Sequence, residues 1–169
     1  MTTANKLTIA RVAMIPVFML LQMEELYFLA LLVFILASLT DLADGYIARN
    51  YNQITDFGKF MDPLADKILV LSAMAVFCAQ GRFSPWAIMV VLTREFAVSG
   101  LRMLAAEHKI VIAAGMSGKI KTASTMIGLC LMLFINRHTL DVVVTLVIVI
   151  TTLYSGVDYF MKNKKVFGL

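Results

Sequence analysis

Four aspartates, Asp41, Asp44, Asp62 and Asp66, fall within 26 residues of a chain that is otherwise 60% hydrophobic. Carboxylates at membrane depth are costly, so an acidic cluster inside apolar segments is by default a candidate functional site. On a helix, Asp41, Asp44, Gly45, Ala48 and Arg49 share one face; on the next, Gly58, Asp62 and Asp66 share another. Two helices joined by a short loop pack antiparallel, so the two faces can meet around a common point. Four carboxylates so arranged repel one another unless a cation compensates. Oxygen-only ligation selects Mg2+ or Mn2+ over zinc, for which histidine and cysteine ligands are expected. Ion pairing with Arg49 and Lys67 is the structural alternative, but four acids outnumber those two bases. Gly45, Ala48 and Gly58 keep the facing surfaces free of bulk. That suits close helix approach, and equally a nucleobase or pyrophosphate lying against the backbone.

The elements that must position these residues read as membrane helices. Mean hydropathy is +0.85, far above that of a soluble chain. Apolar runs cover roughly 9–23, 26–48, 64–81, 84–106, 116–135 and 139–161, each about long enough to cross a ~30 Å hydrocarbon core at about 1.5 Å per residue. The expected fold is an all-α integral membrane protein, six transmembrane helices forming one domain over residues 1–169. The first run is not read as a signal peptide, because Glu24 and Glu25 follow it rather than a small-residue cleavage site. Placing the N-terminus, the 49–63 turn, the 107–121 connection and the C-terminal tail on one side gathers thirteen of the fifteen lysines and arginines there, leaving only Arg82 and Arg137 opposite. The positive-inside rule then makes both termini and the aspartate cluster cytoplasmic. The net charge of +4 is accounted for by that asymmetry and by a lipid-attracted Lys162-Asn163-Lys164-Lys165 tail. No basic groove or aromatic platform for nucleic acid is visible.

Outside the cluster, Asn5, Thr8 and Arg11 share a helical face near the N-terminus, where they serve as capping residues or line a head-group site beside the aspartates. Arg94, Arg102 and Lys119 form a candidate anion pocket on helices 4 and 5, three cations against the one nearby carboxylate, Glu95. Lys109 and Lys121 read equally as snorkelling lysines or as members of that pocket. An acceptor without a phosphate would not need three cations. Asp158, Tyr154 and Ser155 read as interface residues in preference to pairing partners for the basic surface, and Trp86, Tyr27 and Tyr159 as aromatic-belt anchors. Cys78 and Cys130 read as buried small hydrophobes, and His108 and His138 carry no ligand-like neighbours.

The pattern Asp41-x-x-Asp44-Gly45-x-x-Ala48-Arg49, eight residues, then Gly58-x-x-x-Asp62-x-x-x-Asp66 resembles the signature of the CDP-alcohol phosphotransferases, with every fixed position filled. Asn5–Arg11, Phe60–Lys67, Thr93-Arg94-Glu95 and Gly118–Thr122 are also similar to the bacterial phosphatidylglycerophosphate synthases of that family. The resemblance implies a phospholipid-synthesis transferase that joins CDP-diacylglycerol to sn-glycerol 3-phosphate and releases CMP. It implies two divalent cations, Mg2+ or Mn2+, on Asp41, Asp44, Asp62 and Asp66, with Asp62 bridging and Asp66 also acting as the base. Asn5, Thr8, Gly45, Ala48, Arg49 and Thr55 would line the cytidine diphosphate site, and Arg94, Arg102, Lys119 and Lys121 the acceptor phosphate. It further implies a homodimer in the bacterial cytoplasmic (inner) membrane, its site facing the cytoplasm. Sister enzymes use inositol phosphate, serine or phosphatidylglycerol instead. Two other classes fit less well. Membrane prenyltransferases carry two separated acidic motifs, and a divalent-cation transporter would need acids near the far face.

Overall fold

The computed structural model describes residues 3–50, 56–107, 112 and 115–164. Within these, the side chains of 3–4, 41–50, 56–57, 59–60, 63 and 107 lie outside the description. Six α-helices follow one another: α1 Thr3–Met23, α2 Tyr27–Asn50, α3 Asp56–Ala79, α4 Pro85–Glu107, α5 Met116–Phe134 and α6 His138–Lys162. No strand occurs among the described residues. The helices coincide with the six apolar runs, except that α1 and α3 begin six and eight residues earlier and so carry polar turns ahead of their apolar stretches. Among the described residues, α1 from Asn5 to Met23 and α6 from His138 to Lys162 are by themselves long and apolar enough to cross a membrane.

By contacts the chain divides into two compact units, Met1–Gly81 with Leu133–Asn136, and Arg82–Met132 with Arg137–Leu169. In the first, α1 lies against both α2 and α3. Its buried stripe runs Asn5, Thr8, Arg11, Ile15, Phe18, Gln22, a spacing of three and four that keeps one side inward over five turns. Phe18 packs on Phe34 of α2 with ring centroids 5.4 Å apart, and Arg11 Nε donates to Thr40 Oγ1 further along α2. On α3 the pairings run the other way: Thr8 with Asp62, then Gln22 Nε2 with the Ala73 carbonyl and Gln80 Nε2 with the Gln22 carbonyl. Hence α1 and α3 are parallel and α2 is antiparallel to both.

The turn between α1 and α2 spans three residues. Leu26 N–H donates to the Leu21 carbonyl and Glu25 N–H to the Gln22 carbonyl, with Glu25 in the left-handed region at φ 59°. This is a Schellman stop with glutamate where glycine is usual. Gly81, at φ 71°, ends α3 with the residue that conformation favours.

In the second unit α4 and α6 run parallel and α5 runs back between their registers. Arg94 meets Ser155 and Arg102 meets Tyr159, while Ser117 meets Asp158, Ser124 meets Thr151, and Gly128 meets Val144. A Cβ added to Gly128 would stand 2.7 Å from Val144 Cγ1, so α5 and α6 touch there because no side chain intervenes. The stripe of α6 is Asp141, Val144, Ile148, Thr152, Ser155 and Tyr159. At one end Arg82 makes a two-pronged bridge to Asp141, with both oxygens at 2.8 Å, and also donates to the Met132 carbonyl in the last turn of α5. One guanidinium thus joins the start of α6 and the end of α5 to the segment preceding α4.

Candidate active site

In the first unit the polar side chains gather at one end. The stripe of α1 is apolar in its middle and polar from Arg11 toward the N-terminus, and Asn5, Thr8 and Arg11 are all buried there, Arg11 completely. A buried guanidinium needs partners; Thr40, which supplies one, directly precedes Asp41 in α2. Thr8 Oγ1 donates to Asp62 Oδ1 at 2.7 Å. Asp62 and Asp66 lie one turn apart on α3, both half-buried, with Gly58 buried one turn before them. The backbone of α2 remains helical through Asp41, Asp44, Gly45, Ala48 and Arg49, so their shared face stands; their side chains lie outside the described residues, as does Thr55 entirely. Among the described residues no three acidic, histidine or cysteine side chains converge. That set does not include the α2 aspartates.

The donors at this end are hydroxyls and carboxylates. His138 lies in the second unit, and Cys78, in this unit, is a free cysteine near the other end of α3. Such a donor set suits hard divalent cations.

In the second unit the expected basic pocket takes a more specific form. Arg94 Nη1 reaches Glu95 Oε1 at 3.1 Å, and Lys121 Nζ reaches the same oxygen at 2.6 Å. Arg94 Nη2 donates to Ser155 Oγ at 2.7 Å. Arg94 and Lys121 are therefore brought together, Lys121 being buried. Lys119 is exposed, and Arg102 stands two turns along α4, donating to the Tyr159 hydroxyl at 2.8 Å and lying over its ring. Lys109 lies outside the described residues.

Two readings of α6 are corrected. Tyr159 is not an interface anchor: it is buried against Val98 and Leu101, because its hydroxyl finds Arg102 and its ring can enter the core. Ser155 and Asp158 are not idle interface residues either. Ser155 serves Arg94, and Asp158 accepts from Ser117 at 2.5 Å and from Lys162. The signal for Ser155 and Tyr159 was the inward stripe of α6, which they extend by the same spacing.

Compared with known proteins, residues 1–154 match the family model described as CDP-alcohol phosphatidyltransferase. The chain belongs to this family. Among curated CDP-alcohol phosphatidyltransferase relatives, it is 38% identical to the CDP-diacylglycerol–glycerol-3-phosphate 3-phosphatidyltransferase of Bacillus subtilis, over 94% of this chain and 93% of that one. It is equally 38% identical to the protein of that name in Rickettsia bellii, covering 96% of each. A probable phosphatidylglycerophosphate synthase of Mycobacterium tuberculosis is 37% identical over 98% of this chain and 83% of its own.

Proposed function

We propose that the protein transfers the phosphatidyl group of CDP-diacylglycerol to sn-glycerol 3-phosphate, releasing CMP. The observation that carries this reading is similarity along nearly the whole chain to relatives bearing that activity as their name. The buried polar end of the first unit supports it, since Thr8 and Asp62 meet there with Asp66 one turn on.

Asp41, Asp44, Asp62 and Asp66 are the proposed holders of two divalent cations, Mg2+ or Mn2+. When bound, such ions neutralise a pyrophosphate and polarise the phosphorus under attack. The chain's own residues supply the rest. Thr8 fixes one oxygen of Asp62 by donating to it, which leaves the orientation of that carboxylate independent of substrate. Asn5, Thr8, Gly45, Ala48, Arg49 and Thr55 are assigned to the cytidine diphosphate end, with Arg49 giving phosphate oxygens a planar, always-charged fork. Asp66 accepts the proton from the acceptor hydroxyl as its oxygen bonds to the phosphorus joined to the lipid. The bond from that phosphorus to the CMP oxygen breaks, and CMP leaves with the electron pair.

The acceptor's own phosphate is assigned to the cations of the second unit, chiefly Arg94 and Lys121, with Arg102 and Lys119 on the same two helices. The proposed setting is a bacterial cytoplasmic membrane, crossed six times by each protomer of a homodimer whose termini and aspartates face the cytoplasm. Large apolar side chains left exposed along every helix, such as Leu20, Phe28, Phe96, Ile127 and Ile150, support burial in lipid; the one-sided distribution of lysine and arginine supports the orientation.

The test is CMP release by the purified chain with CDP-diacylglycerol and, in turn, glycerol 3-phosphate, serine, inositol and inositol phosphate. Glycerol 3-phosphate is expected to be the acceptor used, and preference for another member of the panel would overturn the assignment. Asp66→Asn is expected to bind CDP-diacylglycerol yet lose turnover; near-normal CMP release would remove Asp66 from the base role.

A further inference from the structure

Glu95 holds a position the proposed reaction has not used. A single oxygen, Oε1, lies between the Lys121 ammonium and the Arg94 guanidinium, 2.6 and 3.1 Å from them. Two positive charges thus share one negative charge in a setting poor in water, for Lys121 is 6% exposed. Among the described side chains of this unit's polar end, the other carboxylate, Asp158, is taken up by Lys162 and Ser117. Arg94 keeps one donor in reserve. Its Nε is buried without a hydrogen-bond partner, and on its other side the residue borders a largely apolar groove along α4 and α6 whose lining includes neither Glu95 nor Lys121. Two cations sharing a single carboxylate oxygen, one of them with an unused donor, are suited to a larger anion than that oxygen alone.

We propose that Glu95 is a specificity-determining residue: its carboxylate occupies, between Arg94 and Lys121, the place of the acceptor's phosphate, and an acceptor binds by displacing it. The inference rests on the reading of that pair as the acceptor-phosphate site. A phosphate monoester brings up to two charges and three oxygens, enough to outcompete one carboxylate. An acceptor bearing only a hydroxyl or a carboxylate offers no more than Glu95 already provides and is excluded. The residue rejects the wrong acceptors by occupying their position.

The experiment uses the full chain in detergent, with inorganic phosphate and glycerate as probes. Binding is read as inhibition of CMP release and, independently of turnover, as the rise in thermal unfolding temperature with added anion. Removing the like charge by Glu95→Gln, which keeps the side-chain volume, is expected to tighten phosphate binding by roughly tenfold, to lower the KM for glycerol 3-phosphate in step, and to admit glycerate, which the unaltered protein ignores. A gain of affinity is an outcome that mere structural damage does not produce. Weakened or unchanged phosphate binding in Glu95→Gln would overturn the proposal and leave Glu95 as a brace for the two cations. Should Glu95→Gln not fold, Glu95→Asp decides the matter in the same titration: its shorter carboxylate retreats from Lys121, so phosphate is expected to bind tighter than in the unaltered chain, and equal or weaker binding overturns the proposal. Arg94→Ala and Lys121→Ala separate the two levels. If neither weakens phosphate binding, the acceptor site itself is misassigned and the inference falls with it; if both weaken it while Glu95→Gln does not strengthen it, only the role of Glu95 fails.

Discussion

At the residue scale, the contact with most consequence is the hydroxyl of Thr8 on Asp62. Threonine near a helix start is ordinarily a capping residue, and nothing in the local sequence distinguishes that use from this one. What distinguishes it is register: Thr8 falls on the same inward stripe as Arg11, Ile15 and Phe18. Replacement by valine keeps shape and branching while removing the donor. Thr8→Val is expected to fold normally and to lose roughly tenfold or more in apparent affinity for the divalent cation, as loss of a carboxylate's supporting hydrogen bond does elsewhere. Titrating CMP release with Mg2+ checks this, and an unchanged half-saturating concentration would show that Asp62 is oriented without Thr8. The aspartates themselves were legible because carboxylates in an apolar chain stand out by type alone. The basic group was legible too, but not which of its members meet: that Lys121 rather than Lys119 joins Arg94 depends on how α4 and α5 are rotated against each other, which neither helix's own pattern determines.

At the scale of elements, six helices could be read from apolar runs of suitable length, with errors confined to the polar starts of α1 and α3. Those starts were missed for a physical reason: hydropathy marks where a helix meets lipid, whereas hydrogen bonding continues into polar turns. The Arg82–Asp141 bridge escaped sequence reading because its partners are 59 residues apart. The side chains are only 10% and 3% exposed, so removing one partner strands the other. Arg82→Met is expected to destabilise the protein by about 3–5 kcal/mol, and adding Asp141→Leu to restore much of that loss, because an apolar pair leaves no buried charge unpaired. Thermal unfolding of the single and double variants in one detergent checks the sign. A double variant less stable than Arg82→Met would show that the bridge does more than neutralise charge, for instance through the bond to the Met132 carbonyl.

For the whole molecule, each unit is a three-helix up–down–up arrangement with polar side chains paired toward both ends and large apolar side chains outward. In the proposed function, the first unit's polar end holds the nucleotide and cations and the second unit's holds the acceptor phosphate. Stripping divalent cations with EDTA is therefore expected to abolish CMP release, with Mg2+ or Mn2+ restoring it and Zn2+ failing to, since every assigned ligand is a carboxylate. Recovery with Zn2+ alone would contradict an oxygen-only site.

The stripe on α1 also bears on the order in which the chain is made. Arg11 is synthesised 29 residues before the threonine it bonds, and Thr8 54 residues before its aspartate. When α1 is made it therefore carries polar side chains, Thr8, Arg11 and Gln22, whose partners on α2 and α3 are still to be synthesised. The inward stripe of α1 is thus completed only once α2 and α3 are in place, so the three helices of the unit are expected to pack as a set rather than one at a time.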